Sequence, residues 1–175
     1  MSLYKQLWLA ISLLMLIAFG VSFVVSSLSA KTYLAEQLYI KNSDNANALA
    51  LSLASAGNDP VMLEITLASQ FDTGFYRYIR LTAPDGSITT ERQDESAITE
   101  APIWFTKLFP ISVEPGIAQV QSGWIKLGTL TLASHSRFAY RSLWESTLRL
   151  LMYFMGAAVV AGLLGNYLLN LITRP

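Results

Sequence analysis

Few residues of this chain could perform acid–base or nucleophilic catalysis. The chain has a single histidine, His135, and no cysteine, so a nucleophile–base pair would need a neighbouring serine, Ser134 or Ser136, and an acid to orient the imidazole. The nearest charges along the chain are Arg137 and Arg141, which cannot serve as that acid. We therefore interpret His135 as a hydrogen-bonded or exposed histidine near a strand end, and we expect the chain not to be an enzyme.

Metal binding and nucleic-acid binding are also disfavoured. The acidic pair Asp94-Glu95 falls in a predicted loop and has no cluster of partners at ligand spacing, and no glycine-rich phosphate loop follows a strand. Between the two apolar segments described below, twelve acids face ten bases. Such a balance does not suit a nucleic-acid-binding surface, which is basic. We expect no metal or other cofactor in these residues.

Trp124 is a candidate for binding another protein. It opens a strand predicted over residues 124–134, and strict alternation along that strand would bury Lys126 on the same face as Leu130 and Leu132. A β-bulge at Gly128 removes this conflict, because the extra residue reverses the side-chain order on one side of it.

With that bulge, Ile125 and Leu127 point to the core, and Trp124 and Lys126 point outward. The tryptophan is then exposed beside the tight turn Ser122-Gly123, where an aromatic side chain can anchor a partner. The alternative, that Trp124 folds back onto the core, stays open because it is the usual position of a tryptophan.

A second candidate is a stripe in the apolar segment near the C-terminus. Small and amide side chains recur every four residues along it, at Ala158, Gly162, Asn166 and Asn170. Small residues let membrane helices approach closely, and asparagines in lipid need a partner. The stripe favours a homodimer seam, although alanine and glycine are common in any membrane helix.

The aromatic cluster Trp104-Phe105 with Leu108-Phe109 has a simpler interpretation. It lies in a short apolar helix that Pro102 starts and Pro110 stops. The spacing predicts that these side chains form the packing face of that helix.

The chain contains two long apolar segments that we expect to anchor it in a membrane. Residues 7–28 and 150–171 carry no charge, and each is long enough to cross a bilayer as a helix. A cleaved signal peptide is the alternative for the first segment, but its apolar run exceeds the usual core of about 7–15 residues. We therefore expect two membrane spans, with tails at 1–6 and 172–175 on one side and residues 29–149 on the other.

The orientation of the two spans in the membrane is harder to predict. Five bases lie in the membrane-near parts of the middle region: Lys31, Lys41, Arg137, Arg141 and Arg149. Counted plainly, they do not favour cytoplasmic termini under the positive-inside rule. The first span usually dominates orientation, and a translocated domain crosses largely regardless of its charge, so we interpret residues 29–149 as extracytoplasmic.

The middle region has an α+β pattern, one that suits PAS-like or Cache-like sensor domains found between two spans. The first predicted helix continues from the first span to Ala56, with a kink or new cap near 42–45, and a second helix is capped by Asp59. Strands over 75–81 and 87–92 follow, joined by a Pro-Asp-Gly turn, and then the short helix. Strands over 116–121 and 124–134 come next, and a helix from Ser136 leads into the second span.

The chain resembles the N-terminal half of LapD-type receptors, which are transmembrane cyclic di-GMP receptors of biofilm-forming bacteria. The resemblance covers essentially the whole chain. The segments that carry it are MSLYKQLW, KNSDNANALALSLA, QFDTGFYRYIRL, PDG, AQVQSGW and GTLTLASHSRFAYRSLW.

This resemblance implies a PAS-like periplasmic domain between two spans in the inner membrane, assembled as a domain-swapped homodimer. Cytoplasmic termini, a HAMP segment that begins at 172–175, and a cytoplasmic part that binds cyclic di-GMP are implied as well. Nucleotide bound inside would make the periplasmic domain hold a LapG-type cysteine protease, which spares a surface adhesin from cleavage. The resemblance assigns the contact with the protease to Trp124, which follows Gly123.

A function of another class stays open: an outside-in sensor of small molecules that drives a kinase or cyclase. Such a domain needs convergent polar groups in a pocket. Tyr76, Tyr78 and Arg80 could supply them, or they could form one polar strand face with stacked aromatics.

Overall fold

A computed structural model describes residues 3–57, 59–94, 96 and 100–173, with side chains from residue 6 to residue 167. Helices and strands follow one another in the predicted order. They are α1 (Leu3–Ala56), α2 (Pro60–Phe71), β1 (Tyr76–Thr82), β2 (Ile88–Gln93), α3 (Ile103–Leu108), β3 (Gly116–Ser122), β4 (Ile125–Ser134) and α4 (Arg137–Thr173). The predicted α+β class is confirmed, whereas the PAS-like character and the domain swap stay predictions.

The chain divides into two compact units, a membrane unit (Met1–Ala30 with Ser142–Pro175) and a sheet unit (Lys31–Arg141). Helices α1 and α4 each contain a segment long and apolar enough to cross a membrane, as predicted. Inside the membrane unit, the ring of Phe154 lies 5.4 Å from that of Phe19 and 6.3 Å from that of Phe23. The predicted span limits, 7–28 and 150–171, stay predictions.

The sheet unit is built on an antiparallel sheet with the strand order β2-β1-β4-β3. Side chains from one face of this sheet form a hydrophobic cluster with α2 and with the C-terminal half of α1. The fully buried members of the cluster are Ala46, Leu53, Leu67, Ile79, Leu81, Val120, Leu130 and Leu132. This apolar contact is what makes the helices and the sheet one folding unit.

The local signals that end and start elements act as the sequence predicts. Gly57 takes a φ of +71° at the end of α1, a conformation that glycine adopts without strain. The Asp59 carboxylate accepts a hydrogen bond of 3.0 Å from the Val61 N–H and caps α2. Helix α2 then buries Leu63 and Leu67 on its inner face.

The β1–β2 turn is also stabilised locally. The Asp85 carboxylate accepts hydrogen bonds from the Ser87 hydroxyl (2.7 Å) and the Ser87 N–H (2.9 Å), and Gly86 has a φ of +87°. These two bonds, the hydroxyl first, lower the pKa of Asp85 below its ordinary value. The turn predicted from Pro-Asp-Gly is therefore confirmed.

The kink or new cap predicted near residues 42–45 is wrong, because α1 continues through them. Asn42 is fully buried, and its Nδ2 donates to the Glu114 carbonyl at 2.8 Å. Its Oδ1 accepts from the N–H (3.0 Å) and the hydroxyl (2.6 Å) of Ser134. Since the amide is satisfied by other parts of the chain, it does not compete for the hydrogen bonds of its own helix.

Gly116, the first residue of β3, lies directly against this junction. A Cβ on Gly116 would collide with the backbone carbonyl of Asn42. The absence of a side chain therefore allows the backbones of β3 and α1 to touch, which brings the Asn42 amide within reach of the Glu114 carbonyl.

The prediction that all four large residues of α3 pack inward is wrong in part. Phe105 is fully buried, and its ring lies 5.2 Å from that of the half-buried Phe109. Trp104 and Leu108 are exposed instead. A helix of six residues has only about one and a half turns, so it cannot direct four neighbouring side chains to the same side.

We predict that Asn42→Ala destabilises the sheet unit by about 3 kcal/mol, because the buried Ser134 N–H and the Glu114 carbonyl lose their partner. Asn47→Ala is the matched control, since Asn47 is exposed on the same helix and its loss should change the free energy of unfolding by less than about 0.5 kcal/mol. Thermal unfolding in detergent, followed by near-ultraviolet circular dichroism, measures both. Equal melting temperatures for the two variants would contradict the role of Asn42.

Candidate protein-binding site

The candidate site is the tip of the hairpin formed by β3 and β4. Ser122 pairs with Ile125, so the loop consists of Gly123 and Trp124. Gly123 has a φ of +61°, and no residue other than glycine has a positive φ among the described residues. A positive φ at the first loop residue alone is the pattern of a type II′ turn, which matches the twist of the flanking strands.

Trp124 is as exposed as a tryptophan can be, at 105% of the reference area. The predicted exposure of this side chain is therefore confirmed, and the alternative that it folds onto the core is wrong. The position differs slightly from the prediction, since Trp124 is the second loop residue and not the first residue of β4.

The bulge predicted at Gly128 is confirmed. Val120 pairs with Gly128, and the next residue of β3, Gln121, pairs with Lys126, so Leu127 is the extra residue. A Cβ on Gly128 would collide with the carbonyl of Thr82 in β1. Glycine is therefore needed there, because it lets β4 lie close to β1 where the strand bends.

Ile125 differs from its prediction. Leu127 packs against the hydrophobic cluster as expected, but Ile125 is 64% exposed. The cluster contains no residue of the hairpin beyond Val120 and Leu127, so no core is present below Ile125 to cover it. The tip thus presents two neighbouring apolar side chains, Trp124 and Ile125, on a short rigid turn.

This tip has the composition of a binding surface. The polar residues next to the apolar pair are Ser122, the exposed Gln121 and the exposed Lys126. A rigid aromatic group surrounded by polar side chains is typical of an anchor that enters an apolar pocket on a partner.

His135 lies beyond the opposite end of β4, and it is buried. Its Nε2 is 3.2 Å from Oδ2 of Asp94, so a hydrogen-bonded histidine is confirmed, whereas the expectation that no acid lies near it is wrong. The N–H and hydroxyl of Ser96, with a smaller effect of His135, lower the pKa of Asp94. The Ser134 hydroxyl donates to Asn42, so the geometry gives that serine no role as a nucleophile.

No cluster of three or more His, Cys, Asp or Glu side chains that could hold a metal ion occurs within the described residues. Glu95, one of the two acids considered from sequence, lies outside them.

The three residues suggested for a sensor pocket do not converge. Tyr76 is buried in the cluster under the sheet, whereas Arg80 is exposed. Arg80 forms an ion pair of 2.6 Å with Glu91, and this hydrogen bond raises the pKa of Arg80. Its guanidinium lies 6.0 Å from the ring of Tyr78, so this part of the strand matches the polar face that was the alternative interpretation.

Two residues of the predicted dimer seam have another neighbour within their own chain. Ala158 and Gly162 line a groove of about 840 Å³ between the two helices of the membrane unit. Asn166 is exposed, and the side chain of Asn170 lies outside the described residues.

Comparison with known proteins identifies the family. The sequence model of the LapD/MoxY periplasmic domain matches residues 23–144, which include the whole sheet and its hairpin. The solved periplasmic domain of LapD from Pseudomonas fluorescens is 39% identical to this chain, covers 71% of it and 98% of its own length, and superposes with a TM-score of 0.41. A search of curated proteins found no match. Because the family model matches most of its length, the chain belongs to the LapD/MoxY periplasmic domain family and is a LapD-type receptor.

Proposed function

We propose that residues 29–149 are the periplasmic output domain of an inside-out receptor, which captures a LapG-type cysteine protease with the tip of the β3–β4 hairpin. Cyclic di-GMP bound in the cytoplasm starts the signal, and capture of the protease preserves a biofilm adhesin. In this proposal, spans 7–28 and 150–171 cross the inner membrane and both termini are cytoplasmic. The observation that carries it is the full exposure of Trp124 on a rigid turn.

The free energy gained when a tryptophan side chain is buried supports Trp124 as the anchor. A tryptophan buries about 150–250 Å² when it enters a pocket, which corresponds to about 4–6 kcal/mol at about 25 cal/mol per Å². Because Trp124 covers none of the core, its transfer into a partner costs the domain no packing. Its two side-chain torsions limit the entropy lost on binding.

A route from the membrane to the anchor also exists within the sheet unit. Asn42 of α1 is bonded to Ser134 at the end of β4, and Trp124 precedes the other end of that strand. We propose that a change in the position of α1 reaches the hairpin through this strand.

Trp124→Glu should abolish capture, with a loss of at least ~2 kcal/mol of binding free energy, because a carboxylate cannot enter an apolar pocket. Binding of a purified LapG-type protease to the full-length receptor, loaded with cyclic di-GMP in detergent, measures the effect. The melting temperature should stay unchanged, since Trp124 is fully exposed.

Trp104→Glu is the matched control, because Trp104 is also an exposed tryptophan but lies in α3. This variant should capture the protease normally. Normal capture by Trp124→Glu would exclude Trp124 as the anchor. A large fall in its melting temperature would mean that Trp124 packs on the core in solution.

Gly123→Ala should weaken capture while it leaves the tryptophan in place. An L-residue at a φ of +61° is strained by about 1–2 kcal/mol, so the turn should relax and turn Trp124 away from its binding position. Gly86→Ala introduces the same type of strain in the remote β1–β2 turn, where φ is +87°. We expect similar losses of stability in the two variants and weaker capture only in Gly123→Ala. Equal capture by both variants would contradict a positioning role for Gly123.

We also propose that the receptor is a homodimer whose membrane helices meet along the stripe from Ala158 to Asn170. Replacing both Gly162 and Asn166 by leucine should weaken self-association in a membrane reporter assay, because it removes close approach and an amide partner. Val160→Leu is the control, since Val160 does not line the groove that contains Gly162. Unchanged association in the double variant would limit the role of the stripe to contacts inside one chain.

A further inference from the structure

Helix α3 presents an apolar surface that the proposed capture does not use. Ile103, Trp104 and Leu108, which we call the α3 patch, each have 60% or more of their area exposed. Phe105, on the other side of the helix, is fully buried. A contiguous apolar surface of this kind on a folded domain indicates a site that contacts something apolar.

The segment that carries the α3 patch is attached at both ends to the start of α4. Before α3, the Arg141 guanidinium pairs with Glu100 at 3.2 Å. After α3, the N–H of Ile111 donates to the Tyr140 hydroxyl at 2.9 Å, a contact that is buried. Because Tyr140 and Arg141 are neighbours, both ends of the segment are fixed to the same turn of α4.

This position separates the α3 patch from the hairpin tip. Strand β4 has ten residues and spans about 33 Å between the turn at Trp124 and the segment that leads into α4. The charge-free segment that begins at Leu150 follows Tyr140 by only ten residues along the chain. The attachment of the α3 patch is therefore close in sequence to the second predicted span.

We propose that the α3 patch inserts into the headgroup region of the periplasmic leaflet, so that its partner is a bilayer that contains anionic phospholipid. Tryptophan with aliphatic residues and a lysine is the composition of an interfacial anchor, and α3 contains the exposed Lys107. Charge complementarity supports lipid as the partner, since the exposed, membrane-near Arg149 lies on the same side of the predicted spans as Lys107.

Under this proposal, the exposed membrane-near Arg149 contacts lipid phosphates outside the membrane. The inference rests on the proposed topology, in which residues 29–149 lie outside the two spans, but it does not depend on capture of a protease.

The chain contains no cysteine, so one label can be introduced at one chosen site. Leu108→Cys and, as control, Val61→Cys each receive an environment-sensitive fluorophore; Val61 is 64% exposed near the start of α2 and matches Leu108 in exposure. Both full chains are reconstituted in vesicles of phosphatidylethanolamine and phosphatidylglycerol with a headgroup-labelled quencher lipid. We expect several-fold stronger quenching by lipid, and weaker quenching by aqueous iodide, at position 108 than at position 61.

Equal quenching at the two positions would overturn the proposal. Protection of position 108 from iodide without quenching by lipid would also overturn it, since the cover would then be protein, such as a second copy of the chain. Trp104→Glu should reduce lipid quenching of a label at Ile103→Cys while protease capture stays normal, and Trp124→Glu should do the reverse. Failure of membrane insertion and failure of the proposed capture are thereby distinguishable.

Discussion

The side chain of Asn42 joins three parts of the chain that are far apart in sequence, and the arrangement of the sheet unit depends on this junction. Its amide is fully buried and is bonded to Glu114 and Ser134. Apolar contacts alone would allow a helix to shift along a sheet, whereas a buried amide with fixed partners is satisfied in only one register. Gly116 makes that register accessible, because any side chain there would displace α1 from β3.

The exposed hairpin tip is rigid for a reason that follows from the same strand. Beyond Leu127 no core side chain supports the tip, so its shape is determined by the backbone. Ser134 fixes one end of β4 to α1, Gly128 holds the bulge against β1, and Gly123 sets the turn. Trp124 is therefore fully exposed on a turn whose geometry the backbone determines, which suits a binding anchor.

The features that sequence predicts correctly are those determined by near neighbours, such as the cap at Asp59 and the bulge at Gly128. The contacts it missed join residues far apart: Asn42 and Ser134 are 92 positions apart, and Asp94 and His135 are 41 apart. No local rule links such pairs. One signal was present, since Asn42 precedes the buried Leu49 and Leu53 by seven and eleven positions, the spacing of one helical face. A polar residue on that face indicates a buried hydrogen bond.

Trp104 and Trp124 show why residue type does not determine the role of an exposed aromatic. Alternation and bulge geometry predicted correctly that Trp124 points outward. Helical spacing predicted that Trp104 packs inward, and this prediction is wrong because α3 is too short to bury both Trp104 and Phe105. Trp124 precedes one end of β4, whereas the segment that carries Trp104 is attached to the start of α4, which follows the other end. A partner at the hairpin tip can therefore bind without disturbing the α3 patch. Asn42 binds Ser134 at the end of β4 that is remote from the tip, so one buried contact fixes the register of α1 against that strand.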